Sequence, residues 1–131
     1  LSHPRVHIGA SDAGAHIAQF CGAGDTSYLL ARWVRDLKAF TLEQAVHRLT
    51  GELADAFGIR GRGRIVAGQA ADLVLFNPDT IDRGAEDFVG DVPGGGNRYV
   101  RHATGVEMVA VNGAVVWEQG GYTEARAGEI V

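Results

Sequence analysis

The sequence predicts a mixed α/β chain, with a helical segment over residues 1–58 and a β segment over 59–131. Three observations carry that expectation. The stretch "RVHIG" at 5–9 alternates like a strand and runs into the small-residue stretch "ASDAGAH", which leads to apolar residues at helical spacing. Residues 73–76, "LVLF", are continuously apolar, as in a strand buried on both faces. Asn112-Gly113 sits between two apolar runs and is the strongest short signal for a type I′ hairpin turn.

The elements follow in order. Residues 5–9 are expected to form one strand and 10–24 a glycine-rich loop. Asp25, Thr26 and Ser27 offer N-cap oxygens to a helix whose apolar face is Leu29, Leu30, Trp33, Val34 and Leu37. "TLEQ" at 41–44 is a capping box, with Phe40 placed as its hydrophobic staple and Leu42, Ala45, Val46 and Leu49 as the buried face. Thr50 is expected to cap a short helix holding Leu53, Ala54 and Phe57, which Gly58 ends in left-handed backbone. "GRGRIVAGQAADLVLF" then reads as two β runs around a glycine turn. Residues 79–104 read as polar and irregular, and 106–111 with 114–118 as the closing hairpin.

Composition bounds the function. The chain has 131 residues, enough for a sizeable core. It carries 12 Lys and Arg against 16 Asp and Glu, a formal charge of -4, so neither nucleic acid nor an anionic membrane is favoured as a partner. Arg32, Arg35 and Lys38 therefore read as a solvated helix face. The single cysteine, Cys21, rules out an internal disulfide and suits a reducing, cytoplasmic setting. No apolar run reaches the roughly 20 residues a membrane-spanning helix needs, and no signal peptide is visible. The chain starts at Leu1 almost directly in a strand-like stretch, which reads as a piece of a longer protein.

Asp12 is the residue of interest in the first loop. A carboxylate just beyond a strand, among small residues, either faces a pocket at the strand's carboxyl end or caps a turn. His16 lies four positions on, and Ser11 precedes Asp12. The other histidines, His3, His7, His47 and His102, have no metal-ligand spacing, and Cys21 has no second cysteine, so this chain alone is not expected to complete a zinc site. "PGGGNR" at 93–98 lacks the Lys-Ser/Thr ending of a phosphate loop and reads as a flexible loop. Trp33 and Trp117 lie on apolar faces and read as core, and "GRGR" at 61–64 as a strand entry.

The long-range order of motifs adds a resemblance. Gly63, Ile65, Gly68, Ala71, Asp72, Leu73, Val74 and Phe76 match "G-x-I-x-x-G-x-x-A-D-L-V-x-F", and residues 109–116 match "V-x-V-N-G-x-x-V". With "SDAGAH" upstream, the chain resembles the C-terminal portion of the amidohydrolase superfamily, in its N-acyl-D-amino-acid deacylase (D-aminoacylase) branch. The resemblance implies the last βα part of a TIM-like barrel in 1–58, followed by part of a small β-sandwich domain in 59–131. It implies zinc-dependent hydrolysis of a small-molecule amide. Asp12 is then both metal ligand and catalytic base, and His16 and Ser11 line the substrate. Asp12-x-x-x-His16 is also similar to the "D-H-A-P-H" of dihydroorotases and hydantoinases. The remaining zinc ligands would lie upstream of Leu1, so the isolated chain is expected to be inactive, and to self-associate or contact the rest of the barrel through Trp33, Leu37, Leu42 and Val46. A cyclic amidase and a non-catalytic structural module are the alternatives.

Overall fold

The computed structural model describes residues 1, 3–9, 11–14 and 16–130. Its elements are α1 (Asp25–Tyr28) running into a π-helical stretch (Leu29–Asp36), α2 (Leu42–Leu49), α3 (Gly51–Phe57), and the strands β1 (Leu73–Phe76), β2 (Asp82–Val92), β3 (Gly96–Thr104), β4 (Val106–Val111), β5 (Ala114–Glu118) and β6 (Gly121–Tyr122). The mixed α/β class holds. Among the described residues the strands form two antiparallel sheets, β1-β4-β5-β6 and β2-β3, rather than a barrel. The chain divides into two compact units: Leu1–Ile8, Phe40–Asn77 and Val106–Val131 in one, Gly9–Ala39 and Pro78–Gly105 in the other.

In the first unit, the capping box forms as expected. The Gln44 amide donates to the Thr41 hydroxyl at 3.2 Å, and the Thr41 amide to the Gln44 side chain at 3.0 Å. Gly58 ends α3 in left-handed backbone, with φ 70. Thr50 precedes α3 without capping it. Its hydroxyl donates to the Val46 carbonyl at 2.7 Å, finishing α2 instead. Phe40, Ala45, Ala54 and Ala110 are buried, whereas Phe57 is not. The Asn112-Gly113 turn forms between β4 and β5, with φ 48 and 81, both left-handed as type I′ requires.

The two sequence motifs meet there. The Asp72 carboxylate accepts from the Asn112 amide at 2.8 Å and pairs with Arg62, whose other nitrogen donates to the Asn112 side chain at 2.9 Å. The Gly113 amide donates to the Ala71 carbonyl at 2.9 Å. These bonds hold the Asp72 carboxyl below the ordinary aspartate range, the Asn112 amide contributing most and Arg62 next. Gly63 is required by packing: with φ +81, a Cβ there would sit 2.8 Å from that of Ala54.

Three strand expectations change in this unit. Residues 5–9 form no strand. The Val6 amide closes a turn onto the His3 carbonyl at 3.0 Å, and Arg48 donates to the Val6 carbonyl, because a lone extended segment has no neighbour to complete its ladder. Ile65 and Val66 likewise lie outside any strand and are exposed. β1 is an edge strand, not one buried on both faces, and Val74 and Leu75 are about half exposed.

In the second unit, residues 79–104 are not irregular. They build β2 and β3, turned by Pro93, Gly94 and Gly95, with Arg98 gripping Asp91 through two 2.7 Å bonds. The expected loop at 93–98 is thus a hairpin turn and the start of β3. The first helix takes Gly24 as its N-cap, and the Ser27 hydroxyl donates to the Gly24 carbonyl at 3.0 Å instead of capping. Its apolar face is buried early, at Leu29, Leu30 and Ala31, while Leu37 is exposed. π-type bonding, with the Leu37 amide on the Arg32 carbonyl at 2.9 Å, widens the turn there. Arg35 ties this helix to the start of β2, donating to the Ile81 carbonyl at 2.7 Å and pairing with Asp82 at 3.3 Å.

Candidate active-site loop

Residues 9–24 form the loop, built from small residues and turns, and they lie within the second unit. The Ser11 hydroxyl accepts from the Ala13 amide at 3.1 Å, closing a turn around Asp12. Ser11 is thereby occupied in shaping the backbone, and Asp12 projects from an exposed position. Gly14 continues the reversal with φ +91. His16 follows in left-handed backbone at φ 50, with its carbonyl accepting from the Gln19 amide at 2.7 Å. Its ring is exposed and tilted against Phe20, with centroids 6.2 Å apart. Ala10 and Ala15 lie outside the described residues.

The far end of the loop folds back onto its start. A Cβ at Gly22 would lie 2.9 Å from the Ala13 nitrogen and 3.0 Å from the Asp12 carbonyl carbon. Only glycine allows that approach, so the backbone at Gly22 packs directly against that of Asp12 and Ala13. The Tyr99 amide of β3 donates to the Ile17 carbonyl at 2.7 Å, using an edge of β3 that does not pair with β2. Asp12, Ser11 and His16 are thus brought onto one short, anchored, exposed loop.

This loop does not fit a zinc ion by itself. Among the described residues no group of three or more His, Cys, Asp or Glu side chains converges. His7, one of the histidines without ligand spacing, bonds Glu52 at 2.9 Å in the other unit. A tetrahedral centre needs three or four donors, and the loop's candidates are Asp12 and, four residues on, His16. Among the described residues no helix is long and apolar enough to cross a membrane.

Sequence reasoning did not find the residues that hold the loop, Tyr99 and its neighbours on β3. The available signal was the opposite charge of Asp91 and Arg98 on either side of "VPGGGN", which marks a hairpin and hence a sheet edge.

The sequence profile of the amidohydrolase family matches residues 1–117. The chain belongs to the amidohydrolase family. Within this family it sits in the D-aminoacylase branch. It is 39% identical over 103 residues to a D-aminoacylase of Alcaligenes xylosoxydans xylosoxydans, covering 79% of this chain and 19% of that protein. A D-aminoacylase crystal structure that defines a novel subset of amidohydrolases superposes with a TM-score of 0.65 at 37% identity, over 80% of this chain and 20% of the other. The N-acyl-D-glutamate deacylase of Bordetella bronchiseptica, complexed with zinc and a phosphonate mimic of the reaction's tetrahedral intermediate, superposes with a TM-score of 0.60 at 38% identity, over 75% of this chain and 19% of the other. The amidohydrolase chain described here spans about a fifth of the length of these relatives.

Proposed function

We propose that this chain is the C-terminal part of a metal-dependent amidohydrolase that cleaves the amide bond of N-acyl-D-amino acids. In this reading residues 1–58 end a TIM-like barrel and residues 59–131 belong to a small β domain. The observation that carries it is the exposed Asp12–His16 loop, held to β3 at Ile17 and Ala23, in a chain of the amidohydrolase family. The lone cysteine accords with a cytoplasmic setting.

Amide hydrolysis needs a group that takes a proton from the attacking water and returns one to the leaving nitrogen. Asp12 is that group, since an exposed carboxylate can accept a proton from the water and release it to the leaving nitrogen. His16, four residues on, contacts the substrate's carboxylate or carbonyl, and Ser11 holds the turn around Asp12 and lines the substrate. A bound zinc ion would polarise the amide carbonyl and lower the pKa of water. Asp12 is this chain's ligand toward it, and the other donors belong to the longer protein.

The test is a substrate panel with the full-length protein. N-acetyl-D-amino acids are expected to be hydrolysed in preference to their L-isomers, with activity lost on chelation and regained with zinc. Turnover of dihydroorotate or hydantoins in their place would move the assignment to a cyclic amidase. Inertness toward every amide in the panel would support the non-catalytic alternative.

A further inference from the structure

Arg101 stands on β3 with its side chain only 10% exposed. One terminal nitrogen pairs with Glu86, which lies directly across on β2, and the other donates to the Ala23 carbonyl at 3.3 Å. Its Nε is buried with no hydrogen-bond partner. A guanidinium withdrawn from water is costly unless its donors are used. Here its two terminal nitrogens are spent on one neighbouring strand and on the end of the Asp12 loop. The register serves this arrangement. A shift between Arg83 and Glu86, where Gly84 lies against the His102 carbonyl, sets Glu86 opposite Arg101.

Other contacts converge on the same segment. The Tyr99 amide, two residues before Arg101, holds Ile17. Gly24, at φ +96, packs so closely that a Cβ would lie 2.8 Å from that of Arg83 and 3.3 Å from the Arg101 Cδ. The Arg83 guanidinium lies 4.0 Å over the Tyr28 ring. The loop is therefore tied to the hairpin at Ile17, Ala23 and Gly24, and Gly22 packs against the Asp12 and Ala13 backbone.

We propose that Arg101 is a positioning residue: it anchors the loop that presents Asp12 and His16, and Glu86 orients its guanidinium. Its consequence for catalysis rests on the functional reading above, whereas the anchoring itself does not.

Hydrogen exchange and steady-state kinetics on the full-length protein separate the two. Arg101→Ala is expected to speed exchange over residues 16–24 and at Tyr99 by about tenfold or more, with β4 and β5 unchanged. It should also lower kcat on an N-acyl-D-amino acid by about tenfold or more and raise its KM, since Asp12 and His16 both lose their alignment. Arg101→Lys, which reaches one partner but not both, should fall between. Glu86→Gln should loosen the same segment less than Arg101→Ala, and it decides the matter if Arg101→Ala does not fold. Unchanged exchange over 16–24 in the folded variant overturns the proposal, as does faster exchange spread equally over β4 and β5. A loop that loosens as expected in a protein that hydrolyses no amide leaves the anchor standing and removes the proposed function.

Discussion

Gly24 and Gly120 show how one backbone conformation can carry two different costs. Both have left-handed φ, +96 and +82, but a Cβ at Gly120 meets nothing within 4 Å, whereas one at Gly24 meets Arg83. Gly120→Ala should cost about 1 kcal/mol from the backbone alone, and Gly24→Ala more, with loosening of the loop that precedes it. Equal shifts in chemical denaturation would contradict the packing described. Asp72 is the second residue that decides more than its position suggests. Its carboxyl is held below the ordinary value by the Asn112 amide and by Arg62, so the folded state favours the ionised form. The stabilisation is fully present above the unfolded value of about 3.9 and is lost as pH falls through the lower folded value. Asp72→Asn should therefore lower the thermal midpoint near neutral pH, and its gap to wild type should close in strong acid. A gap constant from pH 7 down to pH 2 would show that the carboxylate contributes no charge-dependent stability. His16 calls for a variant suited to its backbone. Asn tolerates φ 50 where most residues do not. His16→Asn is expected chiefly to raise KM without changing zinc content. Loss of metal would make His16 a ligand instead, and unchanged kinetics would leave it a plain loop residue.

Elements closed by local chemistry were legible in the sequence. The capping box at Thr41 and Gln44, the stop at Gly58 and the Asn112-Gly113 turn each involve residues within a few positions, and all three form. Thr41→Ala should cost about 1 kcal/mol, and Thr50→Ala less, because the Thr50 hydroxyl bonds back to Val46 and leaves the α3 amides uncapped. Elements that need a distant partner were misread. "RVHIG" alternates correctly, but alternation describes a face, and a strand also needs a neighbour for its backbone. The β2-β3 hairpin escaped for the opposite reason. Much of it is exposed on both faces, so its sequence has no apolar alternation to detect, and cross-strand pairs such as Asp91-Arg98 and Glu86-Arg101 help hold it. The sequence singles out Asp12 as a candidate by its context in a small-residue loop together with the family motifs. The β3 groups that hold this loop at Ile17 and Ala23, the Tyr99 amide and the Arg101 side chain, were invisible because they lie some 80 residues downstream.

At the scale of the whole molecule, apolar surface is exposed at Phe57 (75%), Ile65 (90%), Val74 and Leu75, more than at the helix faces of Leu42 and Val46. Exposed apolar side chains in this number favour contact with other protein. The isolated chain is therefore expected to self-associate with rising concentration in light scattering, and Ile65→Ser should reduce that association. A compact monomer at high concentration would contradict it. The central claim is that Asp12 is the proton-accepting group of an amide hydrolase, and Asp12→Asn in the full-length protein tests it most directly. The amide keeps the size of the side chain and cannot take the water's proton. Turnover of an N-acyl-D-amino acid should fall by about 10²- to 10⁴-fold with the thermal midpoint unchanged, whereas turnover within a few-fold of wild type would contradict the account.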